Sequence, residues 1–295
     1  MEDTETNQSV LVVTGMHRSG TSLATSLLQS SGVFIGDRLM GGGTGNAKGH
    51  FEDWDFVDLH RDTLTSLAID REGWTTQTGL SFTDKYLKRA KALIIARDRY
   101  PVWGWKDPRT TLFLKCWSQL ILDVKFVFIY RSPWGVVDSL FRRGDLIFKS
   151  DPEVAIETWF SYNQAILQFC QQTDKPWILL RIEDVIQSPQ LAIEAIEQQF
   201  NLNLRPSQQL YDRSLFQTNA LNLQRATLIR QYFPQAFELY LKLHRQATLV
   251  TKSQTTMTEY SSSPWFWQNW LDRPVARVRT TVAWSKLKRR SAIEE

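Results

Sequence analysis

"VLVVTGMHRSGTSLATSLLQSSGV", residues 10–33, is the stretch whose reading decides the fold. Residues 10–14 form a short apolar run with β-branched valines, the composition of a buried strand. Residues 21–31 then take helical spacing and stop at Gly32, a favoured C-terminal position. Between them lies Gly15-x-x-x-x-Gly20, a turn bounded by glycines. A strand–turn–helix of this kind points several backbone N–H groups at one spot. The helix N-terminus adds partial positive charge, so an anion can be held without any side chain. A nucleotide-hydrolysing loop reads G-x-x-x-x-G-K-[ST], with the lysine on the terminal phosphates and the hydroxyl on Mg²⁺. Here Thr21 stands where that lysine belongs, followed by Ser22. The cradle is present and its lysine is not.

Outward from this stretch, strand and helix patterns alternate. "PVWGWKDPR" (101–109) is a short strand broken at Asp107-Pro108, and "VKFVFIYRS" (124–132) and "PWILLRIED" (176–184) are buried strands. Helical spacing runs through 54–67, 83–100 with Thr83 as cap, 110–121, from Pro133 onward, and through 152–172, 189–200 and 234–246. The alternation predicts an α/β fold of three layers, a central parallel sheet with helices on both faces, of the P-loop type. "GGGTGNAKGHFED" (41–53) has the composition of a flexible loop. The division expected is a disordered N-terminus (1–9), one domain (10–250), and a polar linker plus tail (251–295). Within the tail, residues 264–290 are aromatic and then basic, a segment suited to weak contact with a membrane surface or an acidic partner.

Composition narrows the function classes. Of 295 residues 42% are apolar and 22% charged, ordinary for a globular protein, and the N-terminus "MEDTETNQS" is unlike a signal peptide. No apolar run reaches the ~20 residues of a bilayer span, so a soluble, cytoplasmic protein is expected. A net charge of +4 suits an anionic ligand and falls short of a nucleic-acid-binding signature. Cys116 and Cys170 form no CxxC or Cys/His cluster and read as buried thiols. Twelve tryptophans is a high count, fit for the core or for lining an acceptor pocket.

The strand ends are basic where metal-nucleotide chemistry wants acid. "VKFVFIY" leads into Arg131, and "WILL" into Arg181. Ser139 lies eight residues beyond Arg131, about two helical turns on. Both face the carboxyl edge of the sheet, where ligands of such folds bind. An arginine and a hydroxyl there suit a second phosphate, and Arg18 adds a guanidinium fork inside the loop.

Together these segments resemble the PAPS-dependent sulfotransferases. "GMHRSGTSL" (15–23) is similar to their 5′-phosphosulfate loop, and "YRSPWGVVDSLFRR" (130–143) to their 3′-phosphate motif, with the same arginine-to-serine spacing. "WGWKDPR" (103–109) and "RIEDVIQSP" (181–189) match further stretches, and the resemblance spans roughly residues 10–205. In motif style the chain looks closest to protein-tyrosine and bacterial carbohydrate or lipid enzymes. The resemblance implies transfer of a sulfuryl group from PAPS to a hydroxyl or amine, with PAP as product and no metal. It implies a donor site built from Gly15, Arg18, Ser19, Gly20, Thr21, Ser22, Arg131 and Ser139. Lys106 would meet the sulfuryl and bridging oxygens, and Arg18 the leaving 5′-phosphate. Glu52 in "GHFEDWD" (49–55) would be the base, with His50 the alternative, while Asp53 reads as an N-cap. The tyrosine usual in the fourth motif is Ile182 here. The arginine-lysine-glycine segment that completes the 3′-phosphate site has no match, leaving Arg142, Arg143 and Arg181 as substitutes. Two other functions compete: an atypical P-loop small-molecule kinase and a non-catalytic nucleotide-binding module.

Overall fold

The computed structural model describes residues 8–41, 50–151, 153–205 and 221–248. The glycine-rich core of the loop at 42–49, and the linker and tail at 251–295, lie outside the described residues. Four strands, β1 (Ser9–Thr14), β2 (Val102–Lys106), β3 (Val124–Tyr130) and β4 (Trp177–Arg181), form one sheet in the order β2-β1-β3-β4. All three pairings are parallel. The predicted α/β architecture is therefore the observed one, and the anion-loop strand β1 is central.

The strands are apolar on both faces because both are covered. Val10 and Val12 of β1 belong to one core with Trp103, Trp105, Phe126 and Phe128. Leu11 and Val13, one residue out of phase, belong to the other with Val127, Ile129, Ile178 and Leu180. On the first face lie α2 (Trp54–Ser66), α3 (Asp84–Ile95), a 3-10 turn (Pro108–Phe113), α4 (Leu114–Leu120), α5 (Pro133–Arg143) and α7 (Glu153–Gln172), joined by α10 (Leu221–Tyr232) and α11 (Pro234–Gln246). On the second face lie α1 (Thr21–Ser30), α8 (Ile182–Gln187) and α9 (Pro189–Phe200). A short α6 (Leu146–Ser150) bridges α5 and α7. No described helix is long and apolar enough to cross a membrane.

Four expectations change. The stretch 176–184 is strand only to Arg181. Ile182 then starts α8, because its side chain is buried under Gly20 and Asp184 bonds back to Arg181. Thr83 occupies the cap position of α3 without a side-chain bond to the helix. Cys170 is buried, and burial pushes its thiol up to about 12, but Cys116 is only half-buried, its Sγ 3.4 Å from the Leu80 carbonyl. Trp103 and Trp105 are wholly buried core residues, closed to any acceptor ring.

Candidate active site

The loop between β1 and α1 is shaped by its neighbours. A Cβ on Gly15 would stand 2.1 Å from the Ile129 carbonyl oxygen of β3, so only glycine fits there. Gly20 has φ 89°, a left-handed conformation, and caps α1 with no side-chain bond to the helix. No acid lies in the first turn of α1, so its positive end faces the loop uncompensated. Ser19 is fully buried, and its Oγ has no hydrogen-bond partner among the described residues. A polar atom enclosed this way in a glycine cradle fits a ligand oxygen. Ser22 donates to the His50 carbonyl at 3.0 Å and so ties α1 to the segment bearing Glu52.

On the β3 side, Arg131 follows the strand directly and is buried, as is Ser139 on α5. Helix α5 starts with well-matched signals: Ser132 accepts from the Gly135 amide and Pro133 follows it. Gly135 was not singled out in the sequence, yet a Cβ there would lie 2.7 Å from Arg131 Nε. Arg131 Nη1 lies 3.4 Å from the Arg18 carbonyl, and Arg18 Nε donates to Ser139 Oγ at 2.9 Å. Arg18 thus reaches across to α5, joining the pair expected at a second phosphate. Burial and the charges of Arg143, Arg131 and Arg142 push its guanidinium down to about 10. A bound anion relieves that repulsion, which favours a phosphate here. Of the three possible substitutes, Arg142 pairs with Asp138, Arg143 with Asp145, and Arg181 with Asp184. The first two bear electrostatically on Arg18.

On the β2 side, Lys106 ends the strand almost fully buried and bonds Glu52, Nζ to Oε1, at 2.5 Å. Glu52 is positioned by a short antiparallel contact between its segment and residues 38–40. Met40 donates to the Glu52 carbonyl at 2.7 Å, the His50 amide to Met40 at 3.3 Å, and Leu39 bridges Asp53. Asp53 caps α2 by accepting from the Asp55 amide, as its place in the sequence predicts. It also holds Arg97 at 2.5 Å. His50 is half-buried, and burial, with Lys106, Arg18 and Arg143 opposing Glu52, lowers its pKa. Glu52, His50 and Lys106 therefore share one locality, although only Glu52 touches the lysine.

Behind this pair runs a network that sequence reasoning did not find. Arg109, buried, bonds Asp107 at 2.8 Å and Glu72 at 2.6 Å, and stands 3.8 Å from Glu52 Oε2. Burial alone would raise Asp107, but Arg109 and His60 hold its carboxyl well below the usual carboxylate range. His60 lies 2.8 Å from Asp107 through Nδ1, and Trp117 donates to its Nε2 at 3.1 Å. The charged "KDPR" run with its Arg109 was the available signal, since a buried strand end seldom carries a charge unless it is paired.

The carboxyl edge of the sheet therefore presents Lys106, Arg131 and Arg181, while Glu52, Asp107 and Asp184 each hold a cation. Among the described residues no three His, Cys, Asp or Glu side chains converge as a metal-ligand group.

No family model matches the chain, and no curated protein sequence does. Among solved structures it is similar to the sulfotransferase domain from the curacin biosynthetic pathway (14% identity, covering 82% of this chain and 99% of that one, TM-score 0.48). It is similar to the sulfotransferase domain of the Synechococcus PCC 7002 olefin synthase (14%, 81% and 94%, TM-score 0.45). A sulfotransferase from Mycobacterium tuberculosis H37Rv is also similar (15%, 74% and 76%, TM-score 0.43). All three are sulfotransferase structures, and at this identity the likeness is one of fold.

Proposed function

We propose that the chain is a PAPS-dependent sulfotransferase acting on a hydroxyl or amine of a carbohydrate, lipid or small metabolite. What carries this function is the placement of a buried carboxylate–ammonium pair, Glu52–Lys106, beside an anion loop that lacks the nucleotide-hydrolase lysine. The loop amides, Ser19 and the N-terminus of α1 receive the 5′-phosphosulfate, with Thr21 and Ser22 opening the helix. Arg131, Ser139 and Arg18 supply the cations and hydroxyl for the 3′-phosphate. The sulfuryl group then lies toward β2 and Lys106.

Sulfuryl transfer, like phosphoryl transfer, asks the protein mainly for positioning and charge. The acceptor oxygen forms a bond to sulfur as the bond from sulfur to the 5′-phosphate oxygen breaks. Glu52 takes the acceptor's proton, PAP leaves with the electron pair, and Lys106 and the loop amides balance the charge that develops on it. Before the donor binds, Lys106 and Glu52 hold each other. A kinase would need an acid at a strand end for Mg²⁺, where Lys106, Arg131 and Arg181 stand.

The test is ³⁵S transfer from labelled PAPS to a panel of sugars, lipids and phenols, with Glu52→Gln as the comparison. Activity in the wild type, lost in the variant while PAP affinity is kept, supports the assignment. Full activity in Glu52→Gln moves the base to His50, and PAPS left intact across the panel counts against the function itself.

A further inference from the structure

Two side chains of the β1–α1 loop carry a buried polar atom with no hydrogen-bond partner among the described residues: Ser19 through Oγ and His17 through Nε2. Enclosing such an atom unpaired is costly, so each calls for a partner the free chain does not supply. For Ser19 the phosphate is that partner. His17 is 8% exposed and meets the same criterion. His60 shows what a structural histidine looks like in this protein, since both of its ring nitrogens are bonded.

His17 and Arg18, adjacent in the loop, meet different neighbours. Arg18 reaches Ser139 on the β3 side. The His17 ring lies against Trp74, with centroids 4.5 Å apart, and near Tyr162 at 6.1 Å. The charges that bear on it are Arg109, Asp107, Arg143 and Lys106. Three of those follow from the end of β2, which flanks β1 on the side away from β3. His17 is therefore on the side of Lys106 and Glu52. The ring is also clamped: Tyr162 donates to the Gly73 carbonyl at 2.9 Å, and Phe148 packs edge-on against Trp74 at 4.9 Å. Burial, then Arg109, Arg143 and Lys106 against Asp107, hold the imidazole well below its ordinary range, so it stays neutral and offers one N–H.

We infer that His17 is a further donor-binding residue, its Nε2–H donating to an oxygen of the sulfuryl group beside Lys106. A neutral donor serves there because another cation would crowd Lys106, Arg109 and Arg143. The inference depends on the PAPS assignment above, and the test separates the two. PAP has everything PAPS has except the sulfuryl group, so binding is measured for both, without acceptor, in the wild type, His17→Phe and His17→Asn. Phenylalanine keeps the ring against Trp74 and removes the N–H, and asparagine keeps a donor.

His17→Phe is expected to weaken PAPS about tenfold, the scale of one hydrogen bond to a charged group, with PAP held within about twofold. His17→Asn is expected to recover part of the loss. Retained PAP binding also certifies that each variant folds. If PAPS and PAP weaken together, or neither changes, the sulfuryl assignment is wrong while the donor assignment stands. If the wild type binds neither ligand, both fall. Without any variant, ¹⁵N NMR of the imidazole should show the Nε2–H signal moving on PAPS binding more than on PAP binding, and identical spectra would overturn the inference.

Discussion

Separating Lys106 from Glu52 should destabilise the fold far more than separating an exposed pair of similar length. Lys106 and Glu52 meet at 2.5 Å with side chains 2% and 10% exposed. Arg89 and Asp62 meet at 2.6 Å with side chains 38% and 54% exposed. Removing one partner of a buried pair strands a charge and costs about 3–5 kcal/mol. Arg109, 3.8 Å from the second oxygen of Glu52, partly compensates a lone carboxylate, which places Lys106→Met near the lower bound of about 3 kcal/mol. Glu52→Leu leaves a buried ammonium and should cost as much or more. Removing both together should cost about 1–2 kcal/mol, because apolar replacement of a buried pair is often close to neutral. The coupling in the cycle, the sum of the two single costs less that of the double variant, is then at least about 4 kcal/mol, against less than about 1 kcal/mol for Arg89–Asp62. Urea unfolding with unchanged m-values measures both cycles. A Lys106–Glu52 coupling no larger than that of the exposed pair would refute the claim that burial sets its strength.

Three further predictions concern the surroundings of this pair. His17 has a folded pKa well below its ordinary 6.5, so the unfolded chain binds more protons and stability rises with pH. Between pH 8 and pH 5.5 its share is about 1.4 kcal/mol, lost on acidification and absent in His17→Phe; equal pH slopes for the two proteins would contradict it. His60 should carry its proton on Nδ1, because Trp117 donates to Nε2, and ¹⁵N shifts showing an Nε2–H tautomer would contradict the Asp107 contact. Gly15→Ala should cost about 3 kcal/mol or prevent folding. Gly32→Ala, at φ 100° but with open space around it, should cost only about 1–2 kcal/mol. Equal costs would mean that β3 does not press on the loop.

Much of this site was legible because it is local. A strand, a glycine turn and a helix within residues 9–30 are fixed by period, β-branching and two glycines. Arg131 and Ser139 are set by a strand end and a short helical spacing. Contacts between distant segments left no such trace. Nothing in "GHFEDWD" says that Glu52 will meet Lys106 in place of capping a helix. That depends on the antiparallel contact with residues 38–40 and on the depth of β2. Arg109, Glu72 and His60 converge from separate elements, so their pairing could not be read in any one window. The strand at 176–184 was read too long because Ile182 is apolar in either state, and its burial under Gly20 decides for the helix. Helix α10 escaped notice because it lacks a sharp apolar face.

The central claim is a metal-free site for a 3′,5′-bisphosphorylated nucleotide. Calorimetry with adenosine 3′,5′-bisphosphate in the presence of a chelator tests it most directly, with Arg131→Ala and Mg-ATP as comparisons. Binding without metal, weakened at least about tenfold in Arg131→Ala by loss of a charge-assisted contact and not displaced by Mg-ATP, is the predicted result. Preference for Mg-ATP, or bisphosphate affinity indifferent to Arg131, would contradict it.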